Sequence, residues 1–362
     1  MRPVHAGDGA RWRFRFRIAQ SPGSRDPLRI DRVRTFSRLH RRLGTDDPAP
    51  GQARAAAIAF GSGVLMTIGK TAAAMYTGSA SMAAEAVHSW VGTVTEIFLI
   101  AAYVAARRPA DEAHPLGYGR ESYVWSLFAS IGMFVVGAQV GIWRGITELG
   151  TSEGAGNYHI GYVVIALSFG LQVVSFMQAM RFVREGAAER ELGVLRHVFD
   201  TSDSQLRAVV TGDFIALIGL ATAGLGMALH QLTGQVIYDA VGSMLIGVLM
   251  GVAGLFLINV NRHYLAGMPL SAERSAMAVR ALEQTPLVER VTFFFAEYVG
   301  PGRLIVVVRV VIAGEHSQAE LARILHALEV HIMEHKAVTR AIVSLATPED
   351  AGHALHDAAR RP

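Results

Sequence analysis

Among the ionisable residues inside membrane-length apolar runs, two are where this chain could do chemistry. His88 stands in Gly78-Ser-Ala-Ser-Met-Ala-Ala-Glu-Ala-Val-His88-Ser, and Asp213 stands within the apolar run from Leu206 to Leu229. An imidazole or a carboxylate in hydrocarbon is costly unless a partner or a water-filled cavity compensates, so each is a functional candidate and each is the other's best partner. A neutral imidazole nitrogen and a carboxylate oxygen can ligate divalent cations, and both groups can carry protons. The chain has no cysteine, which excludes disulfides and thiolate metal sites and leaves imidazole and oxygen ligands for hard or borderline divalent ions.

The elements that position these residues are hydrophobic spans. With 51% hydrophobic and 18% charged residues in 362, and a mean hydropathy of +0.31, the chain is too apolar for an ordinary soluble protein and too polar to lie wholly in a membrane. Six stretches reach bilayer length, 54 to 76, 82 to 106, 122 to 148, 160 to 182, 205 to 229 and 236 to 260. The connections Thr77 to Ser81, Gly150 to His159 and His230 to Gln235 carry no Lys or Arg. Arg107, Arg108 and Arg120 flank the second connection, and Arg181, Arg184, Arg190, Arg196 and Arg207 lie in or beside the fourth. The positive-inside rule then puts both termini in the cytoplasm of a multi-pass plasma- or inner-membrane protein. The net charge of +4 says little about partners, because the basic residues are mostly Arg and unevenly placed; no nucleic-acid partner is expected, and six spans without a catalytic constellation argue against a soluble enzyme. Lys70 in the first span reads as a buried ion-pair or snorkelling residue rather than a ligand. Gly247 and Gly251 form a small-xxx-small pair suited to close helix packing.

Residues 1–53 are Arg-rich with scattered Pro and Gly, and are expected to be disordered or loosely held on anionic lipid. No hydrophobic h-region precedes Arg54, so no cleaved secretory signal is expected. A six-span transmembrane domain is expected over 54–262, a small α/β domain over 263–350 and a tail over 351–362. In that small domain Ser271 to Gln284 reads as a helix, Val288 to Val299 as a strand, Pro301-Gly302 as a turn and Arg303 to Ile312 as a second strand. Ser317-Gln-Ala-Glu320 is a capping box opening a helix to about Lys336, and Ala337 to Ala346 supplies a third strand. The expected architecture is an all-α, six-helix transmembrane domain followed by an α+β, ferredoxin-like αββαβ cytoplasmic domain.

Several motifs carry a family resemblance. Thr77-Gly-Ser-Ala-Ser, Ala84-Glu-Ala-Val-His88-Ser, His114-Pro-Leu-Gly-Tyr-Gly119, and the set Thr233-Gly234, Asp239, Ser243, Ile246-Gly247 follow in the order seen in the cation diffusion facilitators. With the six spans and the αββαβ tail, the chain resembles that family over residues 54 to 346. The resemblance implies a homodimer in the bilayer that exports a divalent cation, zinc foremost, in exchange for protons, the metal being substrate and no cofactor being required.

It also implies a transport site of two residues four apart on the second span and two residues four apart on the fifth. A spacing of four puts ligands on one helix face, where crossing helices can complete a tetrahedral shell. His88 matches the first position of the second span, but its partner position holds Gly92. If Asp213 takes the acidic position of the fifth span, the residue four before it is Val209, and Gly212 stands where one branch has Glu. By helix rise the backbones of His88 and Asp213 differ by on the order of 8 Å in depth, which tilt, side chains or a water can bridge. Glu96, eight residues beyond His88, is a possible replacement ligand, so His88, Glu96 and Asp213 could hold a metal with water, carry protons alone, or simply satisfy one another between helices. Asp111 and His114 match two positions of a loop metal site found in some family members, or shape the loop together with Gly117. His331 and His335, four apart near the end of the last helix, could share a metal or lie solvated on the surface. The missing partners at Gly92 and Val209 leave open a degenerate member that no longer transports and serves a structural or regulatory role in the membrane.

Overall fold

A computed structural model of the chain describes residues 52–150, 158–189, 193–285 and 287–347. The Arg-rich segment up to residue 51 and the tail from 351 lie outside the described residues.

Gly78 adopts φ +69°, a backbone region open to glycine without strain, and turns the chain from helix α1 (Gln52–Thr77) into α2 (Ala80–Ala106). Ser79 then caps α2, its side chain accepting a hydrogen bond from Met82 N at 3.1 Å. The third long helix, α3 (Glu121–Glu148), is interrupted by a π-helical turn over Met133–Ala138. Next come α4 (His159–Glu189), the short α5 (Val194–Asp200), α6 (Ser204–Thr233) and α7 (Ile237–Gly267). Asp203 caps α6 by accepting from the backbone N–H of Gln205 and Leu206, and Gly234 at φ +69° ends it.

Five of these helices are long and apolar enough to cross a membrane: α2, α3, α4 over His159–Ala188, α6 and α7. The 26-residue α1 is not among them, because Ala, Gly, Ser and Thr take places that Leu, Ile and Val fill elsewhere. The expectation of six spans is met in five helices. Large apolar side chains such as Trp143, Leu167, Leu225 and Val252 stand exposed, an aggregation hazard in water but the solvated state in lipid.

Glycines let α3 and α7 nearly touch. A Cβ on Gly247 would stand 2.7 Å from Ile142 N, one on Gly254 2.8 Å from the Phe134 Cβ, and one on Gly251 3.3 Å from the Ala138 Cβ. The Ser243 hydroxyl donates across the same seam to the Gly141 carbonyl at 2.8 Å. Close backbone approach of this kind is how membrane helices gain packing energy without a hydrophobic drive.

Beyond α7 the chain forms α8 (Ala272–Glu283), β1 (Val288–Gly300), β2 (Arg303–Ile312), α9 (Gln318–Met333) and β3 (Val338–Leu345). β1 and β2 are an antiparallel hairpin, β2 and β3 are parallel, and the order is β1-β2-β3. Val291, Val306, Val308 and Val310 with Leu328 and Val343 build its core. The expected αββαβ order is thus observed. A ferredoxin-like unit needs a fourth strand; the described residues give three, plus a short bridge of Pro269 to Glu297 along the β1 edge. The Ser317–Glu320 capping box is formed. Its helix ends at Met333 rather than near Lys336, so His335 lies past the helix, buried, with its Nδ1 accepting from Ala337 N at 3.2 Å. His331 and His335 therefore do not share a helical face.

The sheet unit is fastened to the arginine-bearing end of the bundle. Gly119 meets Gly300 so closely that a Cβ on Gly119 would stand 2.5 Å from the Val299 carbonyl oxygen. Arg120 pairs with Glu297, and Arg196 with Glu273 at 3.0 Å. Tyr123 and Tyr264 stack at 4.9 Å and donate to the carbonyls of Ser202 and Thr201, while Ser202 Oγ accepts from Gly302 N at 3.0 Å.

Candidate functional site

α2 carries Glu85, His88 and Ser89 toward the bundle interior, and α1 sends Lys70 to meet them. Lys70 Nζ lies 2.8 Å from Glu85 Oε1 and donates to Ser89 Oγ at 2.8 Å. Glu85 is fully buried, and Lys70 and His88 are 5% and 6% exposed. Burying a lone charge at this depth would cost several kcal/mol, on the order of the effective desolvation penalty per ion, so the pairing keeps both groups where they are. Glu85 Oε2, the second carboxylate oxygen, points to His88 Nδ1 at 3.7 Å, and neither atom has a hydrogen-bond partner. The expectation of a buried ion pair at Lys70 is met. Glu85 is the residue that sequence reasoning passed over: it stands in the quoted motif three residues before His88, a spacing that shares a helix face.

Asp213 is held from the other side of the bundle. Gln172 Nε2 and Ser175 Oγ, both on α4, donate to its two oxygens at 2.7 and 2.8 Å. It lies within electrostatic reach of His88 and of Glu96. Glu96 faces α1, where a Cβ on Gly63 would stand 3.6 Å from its Oε2. Gly219, on the α6 face toward α2, has its would-be Cβ 2.7 Å from Glu85 Oε2 and 3.7 Å from His88 Nδ1. Among the described residues no three of His, Asp and Glu stand close enough together to hold a metal ion. His88, Asp213 and Glu96 thus share one interior region without forming a compact shell. A Cβ added to Gly92 or Gly212 would meet nothing within 4 Å. Val209 is 39% exposed on the outside of the bundle.

The loop between α2 and α3 has its own order. Asp111 Oδ1 accepts from His114 N and Asp111 Oδ2 from the Tyr118 hydroxyl, both at 2.7 Å, and the His114 ring lies 4.0 Å from that of Tyr118. The Tyr118 hydroxyl first, and then the His114 N–H, hold the Asp111 carboxyl below the usual aspartate range. Gly117 turns the loop at φ +78°. Asp111 and His114 are together, with His114 Nδ1 3.7 Å from Asp111 Oδ1, and both are half-exposed. In the sheet domain His331 Nδ1 meets Glu334 Oε2 at 3.3 Å.

Comparison with known proteins places this geometry in a family. Residues 56–266, more than half of the chain, match the cation efflux transmembrane domain. The chain is 33% identical over 219 residues to metal tolerance protein C4 of Arabidopsis thaliana, a match covering 60% of this chain and 48% of that protein. It is 28% identical over 230 residues to the mitochondrial proton-coupled zinc antiporter SLC30A9 of Homo sapiens, covering 64% and 40%. With magnetosome protein MamB of Magnetospirillum gryphiswaldense it shares 23% identity over 245 residues, 67% of this chain and 76% of that protein. The chain spans less than half the length of the first two of these relatives.

Proposed function

The chain belongs to the cation efflux family, and from that premise we propose that it is a homodimeric antiporter in a plasma or inner membrane, exporting a divalent metal cation from the cytoplasm in exchange for protons. Zinc is the first choice of metal, since imidazole and carboxylate ligands in a four-coordinate shell suit it. The observation that carries the reading is the set of ionisable side chains inside the apolar bundle, with Glu85 Oε2 and His88 Nδ1 lacking hydrogen bonds. Such groups are retained in hydrocarbon where an ion or proton is to be passed. Imidazole must be neutral to bind metal and titrates near physiological pH, so metal and protons compete for one site. SLC30A9 is named as a proton-coupled zinc antiporter, which agrees with this reading.

Orientation follows from the arginines. Arg107, Arg108, Arg120, Arg181 and Arg184 all lie at the helix ends that bear the sheet domain, so the positive-inside rule favours a cytoplasmic sheet domain and, with α1 as a sixth span, cytoplasmic termini.

One observation favours a second reading. Gly92 and Val209 offer no ligands, and no three acidic or histidine residues converge among those described, as expected of a degenerate member with a structural or regulatory role. Purified protein in liposomes, given zinc, manganese, iron, cobalt or cadmium under an imposed pH gradient, separates the two. Metal uptake with proton counterflow supports the antiporter, and the absence of both for every metal supports the second reading.

A further inference from the structure

We propose that Glu85 Oε2 and His88 Nδ1 are two ligands of one divalent-cation site on α2, opened toward α6 by Gly219 and oriented by Lys70. The proposal rests on the transport reading above and names the residues that stand in for the missing carboxylate at Gly92.

Three independent observations carry it. The first is spacing. An ion bound at about 2.1 Å to each of two ligands at a tetrahedral angle holds them roughly 3.4 Å apart, and the observed separation is 3.7 Å. A nitrogen ligand disfavours magnesium and calcium, which take oxygen, and selects zinc-like ions. The second is valence. Both atoms are buried and neither has a hydrogen-bond partner, although the other carboxylate oxygen, Oε1, is bound by Lys70. Buried polar atoms are almost always satisfied, so two that face each other at 3.7 Å, beyond hydrogen-bonding distance, mark a place for a bridging group. The third is room. Any residue with a side chain at position 219 would put its Cβ 2.7 Å from Glu85 Oε2.

Lys70 has a defined part here. By donating to Oε1 it offsets the burial of the carboxylate and leaves Oε2 toward the imidazole. Asp213, within electrostatic reach of His88, offers a further carboxylate from α6. Water completes the coordination.

The test uses the full chain in detergent and in liposomes, with Zn2+ for affinity and Co2+ as the spectroscopic probe. Wild-type protein should give the intense visible absorption of four-coordinate Co2+. Glu85→Gln, and Gly219→Ala, which keeps both ligands but fills the opening, should each lose that band and bind Zn2+ at least tenfold more weakly. Should Glu85→Gln misfold because Lys70 is left unpaired, the charge-balanced Lys70→Met/Glu85→Gln protein should fold and still lose the band. Wild-type Zn2+ affinity and an unchanged Co2+ spectrum in folded Gly219→Ala and in the double variant would overturn the site, as would a wild-type protein showing only six-coordinate Co2+. Flux measured in parallel keeps the two readings apart. Wild-type flux that these variants leave untouched sinks the Glu85 ligand but not transport, whereas a variant-sensitive Co2+ site in a protein without flux sinks transport and upholds the site.

Discussion

Asp239 at the start of α7 holds Ser79 at the start of α2, its Oδ1 accepting from Ser79 Oγ at 2.9 Å across 160 residues of sequence. The same carboxylate accepts from Ala80 N at 2.6 Å and from the Ser81 hydroxyl, and Asp239 is completely buried. A negative charge at a helix N-terminus, shared among three donors, ties the entry of the site-bearing helix to α7. Asp239→Ala leaves a buried N–H and two hydroxyls without their acceptor and should destabilise the protein by about 2–4 kcal/mol. Thermal unfolding in detergent checks this, and an unshifted midpoint would show that the interlock does not stabilise the fold.

Asp213→Asn should abolish metal flux while leaving the melting temperature close to wild type. The amide can keep its contacts with Gln172 and Ser175 but loses the carboxylate that can ligate metal or carry a proton. His88→Ala should also abolish flux. Glu96→Gln should reduce flux only in part, since Glu96 faces α1 at Gly63. Liposome uptake with matched protein amounts decides each case, and a fully active Asp213→Asn removes that residue from the mechanism.

Gly119→Ala should loosen the sheet domain from the bundle. The new methyl would meet the Val299 carbonyl oxygen at 2.5 Å, where backbone on both sides limits relaxation. A cost of about 1–3 kcal/mol is expected, the usual range for overpacking. Faster proteolysis near Met268, with the transmembrane helices intact, is the expected readout, and an unchanged cleavage rate would contradict the contact.

The Asp111 loop should respond to acid in a definite direction. Its carboxyl is held below the ordinary aspartate range chiefly by the Tyr118 hydroxyl. With a depressed folded-state pKa, its contribution is fully present above the ordinary value of about 3.9 and is lost as pH falls below that value through the folded one. Tyr118→Phe should move the Asp111 titration upward toward that ordinary value, which a carboxyl-resonance NMR titration would follow. An unmoved titration would mean that the hydroxyl is not the main cause.

Gly92→Asp should tighten Zn2+ binding by at least tenfold, because a side chain there has open space around its Cβ and lies four residues from His88. Val209→His should change nothing, since that position faces outward. Isothermal titration on both proteins provides the comparison, and a gain from Val209→His would mean that α6 presents a different face to the site.

Much of this molecule was legible as a string. Apolar runs of bilayer length, the placement of arginines at one set of helix ends, and the switch to period-two β-branched strands after Arg262 each follow from local composition, so the five apolar helices and the αββαβ order could be read in advance. β2 was bounded correctly at Arg303–Ile312 because the Pro301-Gly302 turn and the following loop punctuate it. The end of α9 was read three residues too long, because nothing in Glu334-His-Lys336 breaks a helix. There, Ala337 N bonding back to His335 Nδ1 competes with the helical ladder.

The sequence by itself determined which residues are ionisable within the apolar segments, since that needs only residue type and a run of hydrophobic neighbours. His88, Asp213, Glu96 and Lys70 were all found that way. Which of them meet was decided only by the tertiary structure, because helix rotation and crossing geometry come from glycine contacts and buried hydrogen bonds between segments far apart in the chain. Glu85 shows the difference most plainly. Its i, i+3 relation to His88 was available from spacing, but Lys70 reaching across from α1 and the bare backbone of Gly219 on α6 are what leave one of its oxygens facing an imidazole.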